Sequence, residues 1–497
     1  MKQSQRIAKN VLAGGLSTAL GGAFQLVAVL LIARRVSVAE FGIYSFMMAF
    51  AFVMSRVGDM GVSNILMRDM AVEPDRMADL LGDALSLAWL VTIGCSLLMV
   101  MAIPFLPFDR TITVLTVTMG IGGLTQFQSN CYGSALRSQE DNELYAAGFV
   151  LHKVCLLALV VFALGLRPTL SSLVAAQLLS NILQWLFFRW LVIQRYSRPR
   201  LHINLTGWKY LVVNAVPLGA AGVVRLLAEQ ADILILTWLT DPRSVGLFSG
   251  PFRMTTGLRF VPQAMVIALF PLFSRAARVT SPSTEFHEAY ERGFKSFLII
   301  GIPIAMLYML APGCLTIGLL GARYSASVPA MRLLGVGTLF LFAASPFPFL
   351  LTALGLQNFV FISSAVALVL RVTFDFALIP WCGFLGPCYS MIISETALVG
   401  LWIAKLSQSG YAVDLPRLLW RPIVGSVAMG SVLYVFQVKS LMLLAPVALA
   451  STAVYFAVVL TLGAFSSEEL ELAKEGLGFV RAFFQEWSPG VMQRKPS

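Results

Sequence analysis

Charged side chains stand inside stretches that are otherwise apolar enough to lie in hydrocarbon. Arg56, Asp59, Lys153, Arg225, Glu229, Asp232, Arg253, Arg259, Arg371, Asp375 and Glu395 all lie within such stretches. On insertion scales an ionised side chain in a bilayer costs at least about 2.5–3.5 kcal/mol, so it faces a protein interior or a wet cavity. Arg56/Asp59, Arg225/Glu229 and Arg371/Asp375 have i,i+3 or i,i+4 spacing. Each of these pairs could neutralise itself as structural glue, or open onto a shared cavity. Arg253 and Arg259 have no carboxylate between or beside them, so an anion from another helix or from a ligand has to satisfy them.

Arginine suits a phosphate because its planar fork donates two parallel hydrogen bonds and keeps its charge in a low-dielectric site. Arg56, Arg225, Arg253, Arg259 and Arg371 are therefore the candidate substrate-binding residues. Carboxylates in the same cavity could exchange a proton or bind sodium, because burial and neighbouring charge tune their proton affinity. Asp59, Glu229, Asp232, Asp375 and Glu395 are the ion-coupling candidates, and a salt-bridge role is the competing fate of each. Basic and acidic groups nearly balance, about six against five, so composition alone assigns no ligand.

Enzymatic chemistry has no foothold. The chain carries no P-loop, nucleophile elbow or dinucleotide fingerprint, so no catalytic residue, metal or cofactor is expected. Six cysteines are scattered without metal-ligand spacing or a redox motif, although Cys382 and Cys388 could meet at one turn. Loops between apolar stretches are short, which leaves no room for a catalytic domain.

The elements that position these charges follow from hydropathy. The chain has 497 residues, 58% of them hydrophobic and 12% charged, with a mean hydropathy of +0.80. Such a composition belongs in lipid rather than water. About fourteen stretches reach the roughly 20 residues a helical crossing needs, from Val11–Ala33 and Ile43–Met67 to Leu418–Phe436 and Leu441–Leu462. The first ends in Arg34-Arg35 rather than a small-residue cleavage site, and reads as a helix. With the N-terminus inside, cytoplasmic segments hold about 22 basic residues and external ones about 7, which places both termini in the cytoplasm. The net charge of +11 thus reads as topology and contact with anionic lipid, not as nucleic-acid binding.

An echo within the chain organises these helices. Phe41-Gly42-Ile43-Tyr44-Ser45 opens the second stretch and Val245-Gly246-Leu247-Phe248-Ser249 the eighth. The expected fold is an all-α polytopic membrane protein: two six-helix lobes, residues 1–205 and 206–410, related by a pseudo-two-fold along the membrane normal. Two accessory helices would occupy 411–464. Residues 465–497 read as an amphipathic cytoplasmic tail, with Leu470, Ala473, Leu477, Val480, Phe484 and Trp487 at helical intervals. Pro217, Gly219 and Gly222 in the seventh stretch suggest a kink at which a lobe bends.

Glu40 to Ser45, with Gly58-Asp59-Met60-Gly61-Val62 and Arg68-Asp69, resembles the opening of polysaccharide-exporting flippases of the multidrug/oligosaccharidyl-lipid/polysaccharide (MOP) superfamily. Val245 to Ser249, running through Pro262 to Phe270-Pro271-Leu272-Phe273-Ser274, is similar to that family's second signature. The resemblance implies alternating access between two lobes and export of an undecaprenyl-diphosphate-linked oligosaccharide for cell-surface polysaccharide, in a bacterial inner membrane. It carries Arg56, Asp59, Arg253 and Arg259 over as cavity residues, with polysaccharide polymerase and assembly proteins as expected partners. Peptidoglycan-precursor flippases place arginines within the first helix, whereas this first stretch has none, which points to a different lipid-linked sugar. The rival within the superfamily is ion-coupled multidrug efflux, which an acidic, aromatic cavity would favour. A membrane-embedded polymerase would need a functional external loop, and a structural scaffold would leave the central charges without purpose.

Overall fold

A computed structural model describes residues 3–102, 109–196, 198–266, 269, 284–412, 414–436 and 441–464. The tail read at 465–497 and the signature Phe270 to Ser274 lie outside the described residues. Among the described residues the chain is helical, without strands. Among the same residues ten stretches are long and apolar enough to cross a membrane, and one of them, Gln357–Gln408, contains two successive helices. The chain divides into two compact units, Met1–Val413 with Lys439–Leu441, and Asp414–Val438 with Met442–Ser497.

The first unit opens with α1 (Gln3–Arg35) and α2 (Val38–Asp59). Between them Ser37 and Glu40 form a capping box, each side chain accepting the other's backbone N–H. That box satisfies two of the orphan donors at a helix start. The second stretch, expected as one helix from Ile43 to Met67, breaks at Met60 and Gly61, whose φ values of 39° and 87° are left-handed. It resumes as α3 (Val62–Val72). Asp59 secures the break by accepting from the backbone N–H of Ser63 at 2.9 Å and from its hydroxyl at 2.8 Å. Then follow α4 (Met77–Ala102), α5 (Arg110–Leu124) and α6 (Gln126–Ser138), so the fourth expected stretch is likewise interrupted, at Thr125. The helices α7 (Asn142–Leu166) and α8 (Leu170–Arg195) complete the first half. Beyond α8, Tyr196 donates to Asp141, which also pairs with Arg195 at 3.0 Å. Burial, and then the hydrogen bond to Asp141, push the Tyr196 phenol above its usual range.

The connection to the second half is strapped onto α4. Asp83 takes His202 Nε2 at 2.9 Å and Asn204 Nδ2 at 3.0 Å, while its carbonyl accepts from Trp208 Nε1 at 3.1 Å. Gly82 lets the strap lie this close, since a Cβ there would meet the Arg200 carbonyl at 2.0 Å. Asp83→Ala removes two of these bonds and leaves their donors searching for water. The expected loss is about 1–3 kcal/mol, read as a lower melting temperature of the purified protein; an unchanged melting temperature would show the strap to be ornamental.

Past the strap, α9 (Leu205–Leu239) is a single helix that runs through Pro217, Gly219 and Gly222. Gly219 serves close approach: a Cβ there would strike the Met60 carbonyl at 1.7 Å, at the α2–α3 break. The beginning of α9 packs with the first half through Leu211 and Ala215, and its end packs with the second through Ile233 and Leu236. Next come α10 (Pro242–Gly257), α11 (Thr284–Leu310), α12 (Val328–Ala344), α13 (Phe347–Ala353), α14 (Gln357–Cys382) and α15 (Gly386–Gln408). Between α11 and α12, short helical turns present carbonyl oxygens to the α1–α2 turn: Arg34 donates to Leu319 at 2.8 Å and to Gly318, and Arg323 donates back to Val36 at 3.4 Å.

The two echoed segments meet. A Cβ on Gly42 would fall 2.0 Å from the Pro242 carbonyl, and one on Gly246 would fall 1.9 Å from the Val38 carbonyl. Each glycine thus faces the residue four before the other, a reciprocal crossing of α2 and α10 that only hydrogen side chains permit.

In the second unit α16 (Leu415–Phe436) and α17 (Leu441–Thr461) pack through Gly425, whose face meets Tyr455 and Val459. Arg421 donates to the Gly463 carbonyl at 2.7 Å. Large apolar side chains such as Tyr434, Val435 and Leu449 are exposed, which suits helices that face lipid.

Candidate functional site

Two adjoining cavities open within the first unit. The larger, about 590 Å³, lies among α1, α2, α3, α5, α6, α7, α8 and α9; the smaller, about 290 Å³, lies among α1, α2, α7, α10 and the residues that follow α10. Gln25, Met48, Phe52, Phe149 and Lys153 line both, so the smaller is an arm of the larger. Glycines create the arm. Gly21 receives the Phe149 ring and Gly22 the Phe260 ring, so α1 is held between aromatic side chains from both halves.

The larger chamber is walled with amides. Gln126 donates to Gln184 at 3.0 Å, Gln177 to Asn181 at 3.0 Å, and Asn181 onward to the Gly122 carbonyl at 3.0 Å. His152 faces the Asn181 amide oxygen at 3.3 Å. Arg137 lies over the Tyr145 ring at 4.9 Å, and its Nε has no hydrogen-bond partner among the described residues.

The charges predicted from sequence divide into three groups. Arg56 and Asp59 line the larger chamber but do not pair. Asp59 is 5% exposed and held by Ser63 and by Asn130 Nδ2 at 3.0 Å, while the Arg56 guanidinium has neither ion pair nor hydrogen bond among the described residues. Glu229, on the same wall, binds Arg259 at 2.6 Å and Arg225 at 3.6 Å. The continuous eighth helix expected through Arg259 ends at Gly257, and the turn after it brings Arg259 back to α9. Arg225 is largely exposed and lines neither cavity. Arg253 lines the arm, as does Arg259; among the described residues the Arg253 guanidinium donates only to the Ser45 carbonyl, at 3.4 Å.

The third group stands apart. Arg371 grips both oxygens of Asp232 at 2.7 Å each and reaches Glu395 at 3.4 Å, with Arg371 3% and Asp232 0% exposed. Asp375 accepts from the Ser390 hydroxyl, and its other oxygen has no hydrogen-bond partner among the described residues. Asp232, Arg371, Asp375 and Glu395 line neither cavity. The i,i+4 pairing open to Arg371 and Asp375 is therefore not the one formed. None of the six cysteines is joined in a disulfide; Cys382 is exposed and Cys388 buried.

Sequence reasoning counted charges and so passed over the amides, and it left Lys153 outside the site. Gln177, Asn181 and Gln184 recur at four and three residues on one face of an apolar helix, which is the signal that would have found them. Lys153 donates to Gln25 at 3.0 Å and lies 5.7 Å from the Phe149 ring centre.

The family described as polysaccharide biosynthesis protein matches residues 7–277. No curated protein matches the chain. Among solved structures, the lipid II flippase MurJ in an inward closed conformation is similar with a TM-score of 0.72 at 12% identity, over 92% of this chain and 98% of that one. A multidrug resistance MATE family transporter of the MOP superfamily, inward-facing, gives 0.66 at 16% identity, over 78% and 94%. A MOP superfamily transporter from Pyrococcus furiosus, described by the reverse polarity of its binding pocket, gives 0.60 at 14%, over 82% and 99%.

Proposed function

We propose that this chain, which belongs to the polysaccharide biosynthesis protein family and shares the fold of MOP-superfamily transporters, is a flippase for an undecaprenyl-diphosphate-linked oligosaccharide. It carries this lipid from the inner to the outer leaflet of a bacterial plasma membrane, for use by polymerase and assembly proteins. The observation that supports the reading is a polar cavity between the two halves whose Arg56, Arg137, Lys153 and Arg253 have no carboxylate partner among the described residues. Unneutralised cations in a low-dielectric chamber attract an anion, and amides offer donors and acceptors to sugar hydroxyls. The lipid tail never leaves hydrocarbon, so the protein has only to shield the polar head while access alternates.

In this reading both termini are cytoplasmic, the chain crosses about fourteen times, and two six-helix lobes rock about the cavity. The Gly42–Gly246 crossing then closes the outer end while the head group enters from within. Asp59 and Glu229 on the cavity wall, and Asp232, Asp375 and Glu395 in the buried cluster, are the groups through which a cation gradient would drive return.

Transport is measured in proteoliposomes holding a fluorescent undecaprenyl-diphosphate oligosaccharide, scored by quenching from the far side. Arg253→Ala is expected to lower the rate at least about tenfold, equivalent to one lost charge-assisted contact of ~1.4 kcal/mol or more, at an unchanged protein level. Movement of a cationic dye without movement of the lipid-linked sugar would establish efflux instead.

A further inference from the structure

We propose that the amide stripe on α8 is a subsite for a neutral sugar, in which Gln177 accepts a hydrogen bond from a sugar hydroxyl; this rests on the flippase reading above. Gln177, Asn181 and Gln184 follow one another at four and three residues, share one face of α8, and all line the larger chamber. Their hydrogen-bond supports come from α5, α6 and α7, so the subsite is built within the first half.

The bonds around Asn181 fix the polarity of the stripe. The Gly122 carbonyl can only accept, so the group that Asn181 sets against it at 3.0 Å is its NH2. The Asn181 oxygen therefore faces the other way, where it meets Gln177 Nε2 at 3.0 Å and His152 Nε2 at 3.3 Å. Gln177 has thus directed its NH2 to Asn181, and its Oε1 ends the chain. That oxygen is buried and has no hydrogen-bond partner among the described residues. A second acceptor repeats the pattern from α9: Gln230 is 7% exposed and lines the same chamber, and its Oε1 is likewise unanswered among the described residues. At the far end of the stripe Gln126 donates to the Gln184 oxygen at 3.0 Å, which leaves the Gln184 NH2 to donate.

A buried acceptor without a donor loses the hydrogen bond it had in water, so what fills the chamber gains by bringing O–H or N–H groups. Phosphate and carboxylate oxygens bring acceptors only and would leave both glutamine oxygens unpaired. A hydroxyl brings one donor and two lone pairs, and so answers Gln177 while still accepting from an amide such as Gln184. Asn181 is the positioning residue: it spends its own groups on Gly122, His152 and Gln177, and holds the Gln177 oxygen free.

Binding is measured on the full chain in nanodiscs. The probes are undecaprenyl diphosphate bearing a glucose disaccharide, the same lipid with every sugar hydroxyl O-methylated, and undecaprenyl diphosphate without sugar. The parent is expected to bind the free-hydroxyl probe at least about tenfold more tightly than the methylated one, because a site built to receive a hydroxyl is left unpaired by the analogue lacking it. Gln177→Met, similar in length but without the amide, should shrink that ratio at least about fivefold, while affinity for the sugarless lipid is unaltered. Methylation adds bulk as well as removing donors, and a penalty from bulk alone persists in Gln177→Met; an undiminished ratio would therefore overturn the proposal. Equal affinity of the parent for the glucose-bearing and sugarless lipids would overturn it too. Each variant is taken forward only as a monodisperse peak at the parent's melting temperature, and Gln230→Met, which removes the second acceptor, takes the place of Gln177→Met if the latter does not fold. Hydroxyl-selective binding that depends on Gln177, without any flipping of the sugar-bearing lipid in proteoliposomes, would sustain this site and reject the flippase reading. Flipping of that lipid at the parental rate in Gln177→Met would do the reverse.

Discussion

Arg371→Gln is expected to destabilise the protein by about 3–5 kcal/mol, the range for breaking a buried ion pair from one side. The guanidinium meets two Asp232 oxygens at 2.7 Å in a fork-to-fork arrangement, and both side chains are buried. Removing the cation leaves the Asp232 carboxylate unpaired in a site that also holds Asp375 and Glu395, so the residual charges repel as well as lack partners. Arg371→Gln/Asp232→Asn should recover most of the loss, because two amides satisfy one another without charge. Arg56→Gln serves as the contrast: that guanidinium lines the cavity unpaired, and its replacement should stay within about 0.5 kcal/mol. Melting temperatures in detergent read all three variants. If Arg371→Gln melted together with Arg56→Gln, the cluster would not be the clamp between α9, α14 and α15 that its distances describe.

The contrast between these arginines marks where sequence stopped being informative. Hydropathy placed the helices, because a bilayer imposes length and apolarity on each crossing. The cost of burying charge singled out most of the ionised residues of the cavity wall, though not Arg137, and those of the buried cluster, and it passed over the amides because they carry none. Pairing was another matter. Spacing along one helix offers Asp375 to Arg371, yet the partner used is Asp232, 139 residues away. Two side chains on the same face of a helix both point at its neighbour, and the neighbour's carboxylate can meet the guanidinium fork head-on where an i,i+4 partner meets it from the side. Local reading also made Arg253 and Arg259 equals. Both line the arm, but the turn after Gly257 gives Arg259 to Glu229, whereas Arg253 has no carboxylate partner among the described residues. The broken second helix had a visible signal in Asp59-Met60-Gly61, but a hydropathy window averages across a turn so short. Gly219 carries a second role that flexibility alone does not suggest: it is a contact surface because glycine is small.

Size is also the whole of the argument at Gly42 and Gly246. A side chain at either position would lie about 2 Å from a carbonyl oxygen of the facing helix, Pro242 or Val38, and backbone atoms cannot swing aside as a rotamer can. Relief requires α2 and α10 to separate by more than an ångström at the end where Ser37 and Asp241 start them. Arg34 and Arg323, which bridge the same end to the turns before α12, would lose their carbonyl partners in that movement. Gly42→Leu and Gly246→Leu are therefore expected to cost at least about 1–3 kcal/mol each in overpacking, and to hold this end of the cavity open. Transport should fall by more than about a hundredfold in either variant, because alternation needs both closed ends and one is denied. Labelling of a cysteine placed at Ser55, on the cavity wall, distinguishes this from simple unfolding: a membrane-impermeant thiol reagent added on the α1–α2 side should react in Gly42→Leu and not in the parent. Gly42→Ala is the sharper case, since a single methyl already clashes. Should it transport at the parental rate and leave the cavity cysteine protected, the two helices would not close on each other through their glycines.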